Sequence, residues 1–400
     1  MCIRDSQFGE GLHIWGRGTP QAGGGLAGDR ASVEAEQRSL PAALPGKPIL
    51  PGPSGSPYRG RSDVLPTGRN MYGTDPRAVP SRAAHAQGVK LAEELVRRHL
   101  QDRGDYPRGL VVNLWGSATM RTAGEDFAMA LHLAGVRPVW DDASDRLTGY
   151  EIIPLALMDR PRTEVTLRVS GLFRDVFPDL AQLFEAAIGA LALRDEAADM
   201  NPYVASPGGP RVFCPKPGSY GLGITLGDLT EDGRQAAGEA WLAASAHDAN
   251  GAPARAALEE RLRNADSFVH TQDLPETDLL LAEDYAAHEA GFAAAMARIG
   301  AMPPALYHLD ATRPERPRAR PLAEEIARVV RARASHPAWI RGMMRHGFRG
   351  AAEIAATLDH MAAFAHLAGV VPTHLFELYH AATLDETDVR AFIAHDNPAE

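Results

Sequence analysis

Lysine is nearly missing from this 400-residue chain. Only Lys47, Lys90 and Lys216 are lysine among its 41 basic residues. None of the three is followed by Ser or Thr, so the Gly-Lys-Ser/Thr turn that cradles nucleotide phosphates does not occur, and no Walker-type ATP site is expected. Cysteine is scarcer still. Cys2 and Cys214 cannot build a disulfide framework, and no Cys-x-x-Cys pair is available for zinc. No apolar run reaches the ~18–20 residues that span a bilayer, and Met1 to Ser6 has no apolar stretch of the kind a signal peptide needs. Positive charge is in deficit. Acidic residues outnumber basic ones 51 to 41, the wrong sign for a chain-wide nucleic-acid footprint. What is present is an ordinary globular composition, 45% apolar and 23% charged. A reduced, cytoplasmic setting is expected.

Glycine and proline divide the chain. From Gly11 to Gly60, 18 of 50 residues are one or the other, which leads us to expect an extended segment over residues 1–62. Order is expected from Val64 onward. Pro80 opens a helix with Val89, Ala92 and Val96 on one stripe. Gly109 to Trp115 reads as a buried strand, and Gly124 to Ala134 as a helix stopped by Gly135. Val136 to Trp140 and Glu151 to Leu155 read as proline-interrupted edge strands. Thr163 to Val169 alternates apolar and polar residues, the pattern of a half-buried strand, and a helix with Leu180, Phe184 and Leu191 on one face follows. This alternation predicts an α/β fold: a parallel-sheet α/β domain over 63–205, a Pro/Gly-rich break near 200–222, then a mixed, helix-rich α/β region over 206–400. In that region helices are expected around 234–247, 253–264, 284–299, 321–334 and 351–367, with short strands at Ser267–Val269 and Ala305–His308.

Ligands of open α/β sheets bind at the carboxyl ends of strands, and three stretches sit there. Leu114 to Asp126 joins a glycine turn to a helix start and carries Arg121. It is either an anion site or a turn capped by Ser117 or Thr122. Ser170 to Phe177 offers Arg174 and Asp175, for a polar ligand or as a loop lock. His270 to Asp278 packs four ionisable groups, His270, Asp273, Glu276 and Asp278, into nine residues. Such groups can move protons or bind a divalent cation, or form a solvated acidic loop. His308 and the remaining histidines read as core or surface residues.

Taken in order, several stretches resemble one family. They include Leu65-Pro-Thr-Gly-Arg-Asn70, Leu114-Trp-Gly116 with Met120-Arg-Thr-Ala-Gly-Glu-Asp126, and Ser170-Gly-Leu-Phe-Arg-Asp-Val-Phe177. They continue with Pro217-Gly-Ser-Tyr-Gly221, His270-Thr-Gln-Asp273, Arg313-Pro-Glu-Arg-Pro317 and Gly342-Met-Met-Arg-His-Gly347. The family is the large subunit of the ATP-dependent metal chelatases of tetrapyrrole synthesis, in its cobaltochelatase (CobN-type) and magnesium chelatase H branches. The cobalt branch is favoured by the Arg-Pro-Glu-Arg-Pro and Met-Arg-His-Gly stretches. The resemblance implies the C-terminal third of a longer subunit that inserts Co2+ into a corrin precursor of the hydrogenobyrinic acid a,c-diamide type. The alternatives are Mg2+ insertion into protoporphyrin IX, or a truncated module that binds tetrapyrrole or partner ATPases without catalysis. Separate AAA+ partner subunits would hydrolyse ATP. By the same resemblance His270, Asp273, Glu276 and Asp278 would be catalytic, with His270, Asp273 and Glu276 handling the metal, and Arg121, Ser170, Arg174, Tyr220 and Gln272 would bind the tetrapyrrole. At least two of these four catalytic side chains are expected to converge on one cavity that the Ser170–Phe177 turn also lines.

Overall fold

The computed structural model describes residues 29–52, 65–66, 68–71, 75–275 and 277–398. Part of the expected extended segment is helical: α1 spans Asp29–Ala43. Apart from Pro41 in its last turn, the glycines and prolines of that region flank a stretch of Ala, Glu, Gln and Arg that favours helix, so composition averaged over 50 residues hides it. The rest of residues 1–62 is either irregular, apart from Pro51–Gly52 pairing in parallel with Asn70–Met71, or outside the described residues.

Local signals set the next elements where the sequence places them. Ser81 accepts a hydrogen bond from Ala84 N and starts α2, Arg82–Arg103, which Gly104 ends in the left-handed region. Strand β1, Gly109–Leu114, is buried along its whole length. It leads into α3, Gly116–Thr122, and α4, Glu125–Ala134, which Gly135 stops at φ 81°. The proline-bearing strand β2 (Val136–Trp140) and β3 (Leu147–Ile152), which ends before Pro154 rather than running over the expected 151–155, pair with each other as an antiparallel hairpin outside the main sheet. The chain returns as β4, Glu164–Val169, then α5, Gly171–Val176, and α6, Pro178–Ala192.

The expected break near 200–222 contains a central strand, β5 (Val212–Cys214), which is too short to leave a pattern in the sequence. Next come α7 (Glu231–Ala243), β6 (His247–Asp248), α8 (Arg255–Asn264) and β7 (Ser267–Gln272). Helix α9 runs through Glu283–Tyr285, a π-helical turn at Ala286–Ala290, and Gly291–Arg298. Strands β8 (Ala305–Asp310) and β9 (Arg318–Pro321) complete the sheet. Helix α10, Leu322–Val329, is extended by a second π-turn, Val330–Ala334. A terminal helical layer follows: α11 (Pro337–Met343), α12 (Gly347–Ala368), α13 (Thr373–Ala382) and α14 (Thr387–Asp396).

The seven strands lie in the order β9-β8-β7-β1-β4-β5-β6, parallel except for the two edges, β9 and β6. Both sides of residue 205 feed this one sheet, so the expected boundary at 205/206 does not fall at a break in it. From β1 the chain winds outward through β4 to β5, then returns to place β7 on the other side of β1. That reversal makes the carboxyl ends of β1 and β7 a topological switch point. Both faces are covered. Leu110, Val112, Val165, Leu167 and Val269 pack with Phe127, Leu131 and Phe184 of α4 and α6. Val111, Phe213 and Phe268 pack with Trp241, Leu262 and Phe292 of α7, α8 and α9. Strand β4 is therefore fully buried rather than half-buried. Its polar alternates, Thr166 and Arg168, are 4% and 1% exposed beneath the second helical layer.

Candidate functional site

The switch point gathers charge on one side. Arg121, in α3, makes a two-pronged pair with Asp273, one residue past β7, at 2.7 and 2.9 Å. Asp273 is buried while the Arg121 side chain is 31% exposed, so the pair reaches solvent through the guanidinium. Asp126, in the first turn of α4, is buried close by. It accepts from Phe127 N at 2.8 Å and lies 3.5 Å from the Thr119 hydroxyl. Burial, with the like charges of Asp273 and Glu125 added, pushes its carboxyl up to about 7. The sequence does not single out Asp126, because its burial follows from α3 and α4 folding against each other.

His270 does not join this group. Side chains alternate along β7, so His270 and Asp273 leave it on opposite faces. In register, His308, His270, Asn113 and Arg168 form one rung across β8, β7, β1 and β4. All four are at most 2% exposed. Helix α9 lays His288 and Glu289 over them. Glu289 Oε1 sits 3.1 Å from His270 Nδ1 and 2.9 Å from His308 Nδ1. Trp115, just past β1, stands edge-on to the His270 ring with centroids 4.3 Å apart, and Tyr285 packs against Trp115, His270 and His308. Arg168 donates to the Ser245 hydroxyl at 3.1 Å and has no carboxylate partner. Burial brings it down to about 10. Burial lowers His270, and lowers His288 well below the ordinary imidazole value. Sequence reasoning missed Glu289, His288, Tyr285 and Asp126. The adjacent His-Glu pair facing inward depends on the π-turn, for which the sequence carries no simple period.

The remaining expected site residues have structural partners. Asp278 pairs with Arg333 of the second π-turn at 2.5 and 3.0 Å and accepts from Leu280 N. Glu276 lies outside the described residues. Ser170 caps α5 by accepting from Phe173 N, and it also accepts from Gly116 N at 3.0 Å, tying the ends of β4 and β1 together. Gly116 is required at that crossing, because a Cβ there would meet Phe173 N at 2.5 Å. Arg174 grips Asp175 at 2.7 and 3.0 Å and donates to the carbonyls of Pro215 and Lys216, while the Tyr220 hydroxyl donates to Asp175. This is the loop lock among the sequence's alternatives. Gln272 donates to the carbonyls of Leu274 and Thr277.

The expected convergence of His270, Asp273 and Asp278 on one cavity is thus not found. The strand alternation separates the first two, and Arg333 draws Asp278 toward the terminal helices. Among the described residues no group of three His, Cys, Asp or Glu is arranged to hold a metal ion. A cavity of about 430 Å³ opens at the opposite end of β8, between Asp102, Met296, Tyr307, Leu322 and Leu367, and none of the expected site residues lines it.

Comparison with known proteins places this geometry in a family. The sequence profile described as CobN/Magnesium Chelatase matches residues 25–400. The aerobic cobaltochelatase subunit CobN of Sinorhizobium sp is 45% identical over 92% of this chain and 31% of its own length. That of Pseudomonas aeruginosa is 43% identical, over 91% and 31%. The magnesium-chelatase subunit ChlH of Oryza sativa subsp. japonica is 29% identical, over 92% and 28%. The catalytic subunit of cobaltochelatase from Mycobacterium tuberculosis superimposes with a TM-score of 0.84 at 37% identity, over 92% of this chain and 33% of that one. The chain therefore spans about a third of the length of the relatives it matches. No helix among the described residues is long and apolar enough to cross a membrane. With the profile running from residue 25 to the last residue, and the sheet and helices shared with a solved relative, this chain belongs to the CobN/magnesium chelatase family.

Proposed function

We propose that this chain is the C-terminal part of the large, tetrapyrrole-binding subunit of an ATP-dependent cobaltochelatase. That enzyme inserts Co2+ into a corrin precursor of the hydrogenobyrinic acid a,c-diamide type, in the cytoplasm, on the route to cobalamin. The observation that carries this reading is the contrast between 45% identity to a cobaltochelatase subunit and 29% to a magnesium chelatase subunit, each over 92% of the chain. Insertion removes two pyrrole N–H protons and strips water from the metal. A buried carboxyl that titrates near 7, Asp126, suits proton acceptance at neutral pH. The half-exposed Arg121 suits a carboxylate side chain of the macrocycle, which would compete with Asp273 for the same guanidinium fork. ATP hydrolysis belongs to separate AAA+ partners, in keeping with the missing phosphate loop, and this chain alone inserts no metal.

The test is a titration of the chain with hydrogenobyrinic acid a,c-diamide and with protoporphyrin IX, followed by absorbance. It is paired with Co2+ insertion by the full-length gene product, its ATPase partners and ATP. Tight binding of the corrin precursor, and loss of insertion but not of binding in Asp273→Ala, support the proposal. Preference for protoporphyrin IX and Mg2+ overturns it. A second reading, a binding module without catalysis, draws on the pairing of Asp273 and Asp278 with Arg121 and Arg333. Binding without insertion by the full-length product would select it.

A further inference from the structure

The polar face of the sheet holds a chain of hydrogen bonds whose proton count follows from geometry. The Gln272 amide nitrogen donates to two carbonyl oxygens, Leu274 O at 3.0 Å and Thr277 O at 2.6 Å. The amide oxygen must therefore face the other way, where it lies 2.9 Å from His308 Nε2. That oxygen only accepts, so Nε2 carries a hydrogen. His308 Nδ1 lies 2.9 Å from Glu289 Oε1 and donates as well. His308 has no exposure to solvent and faces a carboxyl group that is 1% exposed. Burial alone would lower His308 and raise Glu289. Their mutual attraction outweighs it and moves both the other way. His270 Nδ1 donates to the same carboxylate oxygen at 3.1 Å, and its Nε2 has no hydrogen-bond partner, the state of a neutral ring.

From these contacts we infer that His308 and Gln272 are positioning residues. Together they fix the backbone at Leu274 and at Thr277, and so set where Asp273 and Asp278 present their carboxylates. The inference deepens the proposed function, since it rests on Asp273 belonging to the site. The π-turn makes the latch possible. It turns the consecutive residues His288 and Glu289 both toward the sheet, where His288 meets Arg168 at 3.3 Å and Glu289 meets the two histidines. A pair serving packing alone would be replaceable by apolar residues at little loss. This pair instead ends in a side-chain amide whose nitrogen bonds only the two carbonyls beyond β7.

The test uses the 400-residue chain without tetrapyrrole, metal or ATP, so its outcome is independent of whether the chelatase reading holds. Nitrogen-15 NMR of labelled histidine should show His308 protonated on both ring nitrogens at pH 7. Amide hydrogen exchange at Leu280 and Leu281, whose N–H groups donate to Asp278 just past Thr277, should become roughly tenfold faster in Gln272→Leu, because a locally held turn loses both of its side-chain anchors. In Glu289→Gln a neutral His308 keeps its Nε2–H, so exchange there should stay near that of the parent chain while the imidazolium signal disappears. Thr271→Val, on the same strand and equally buried, should change neither readout. A His308 without a hydrogen on Nε2 in the parent chain, or unchanged exchange in Gln272→Leu, overturns the inference. So does exchange in Glu289→Gln as fast as in Gln272→Leu, since the hydrogen-bond chain would then not be what holds the turn.

Discussion

The two faces of the sheet are built from alternate residues of the same strands, yet they differ in kind. On one, Leu110, Val112, Leu114, Val165, Leu167 and Val269 meet α4 and α6 in a dry core. On the other, Asn113, Arg168, His270 and His308 stand in register under α9. The dry face holds through contact area, which tolerates changes of pH and loses stability in proportion to the volume removed. The polar face holds through a few directional, charge-assisted bonds, in which the loss of one partner strands the other. A sheet of this kind can thus be stable and still carry groups in defined protonation states next to its switch point.

The comparison is broken most severely by Glu289→Ala, which leaves a buried imidazolium without its anion. We expect a loss of about 3–5 kcal/mol in urea unfolding at pH 6. The pH dependence follows from the two shifts. Glu289 is lowered, so its contribution is present above 4.5 and fades as pH falls through its folded value. His308 is raised, so its contribution is complete below 6.5 and fades as pH rises through its folded value. The pair is at full strength between those limits, and the cost of the substitution should shrink at pH 9. An equal loss at both pH values would show that charge is not what this face relies on.

Leu167→Ala supplies the contrast. A loss of roughly 2–5 kcal/mol is expected on the dry face, the same at pH 6 and pH 9.

Asp126→Asn sharpens the boundary between the two regimes. The parent carboxyl binds a proton more readily folded than unfolded, so its contribution to stability is complete below 3.8 and is lost as pH rises through about 7. Replacing it should flatten the stability profile between pH 4 and 7 by about 4 kcal/mol. An unchanged profile would remove Asp126 as a proton acceptor.

Thr271→Val is the smallest. Its hydroxyl is buried on the dry side of β7 with no hydrogen-bond partner, so the change should be neutral or stabilising by up to about 1 kcal/mol, read as a small rise in Tm.

Legibility in the sequence followed the range of the interactions. Gly104 and Gly135 end helices by their own backbone freedom, and Ser81 caps a helix three residues on. These positions are visible without any tertiary partner. The hydrophobic run of β1 likewise announces a buried strand, whereas the alternation in β4 announced only one buried face. Strands β5 and β9 were not legible, because a three-residue strand and a strand rich in Arg and Pro take their pairing from neighbours already in place. At the candidate site the right stretch was visible but not its division. His270, Asp273 and Asp278 are close in sequence, whereas pleat alternation and the Arg333 pair send them to three different surroundings.

By itself the sequence determined the α/β class, most helix limits and the lack of a phosphate loop, each of which depends on composition or on spacing within a few residues. The family was legible as a resemblance, carried by a set of motifs in one order along the chain. Only the tertiary structure decided that β7 returns beside β1, and with it the rung of His308, His270, Asn113 and Arg168, the meeting of Glu289 with two imidazoles, and the lifted carboxyl of Asp126. Those features come from strand order, register and burial, which are properties of distant segments brought together, and no local pattern of side chains encodes them.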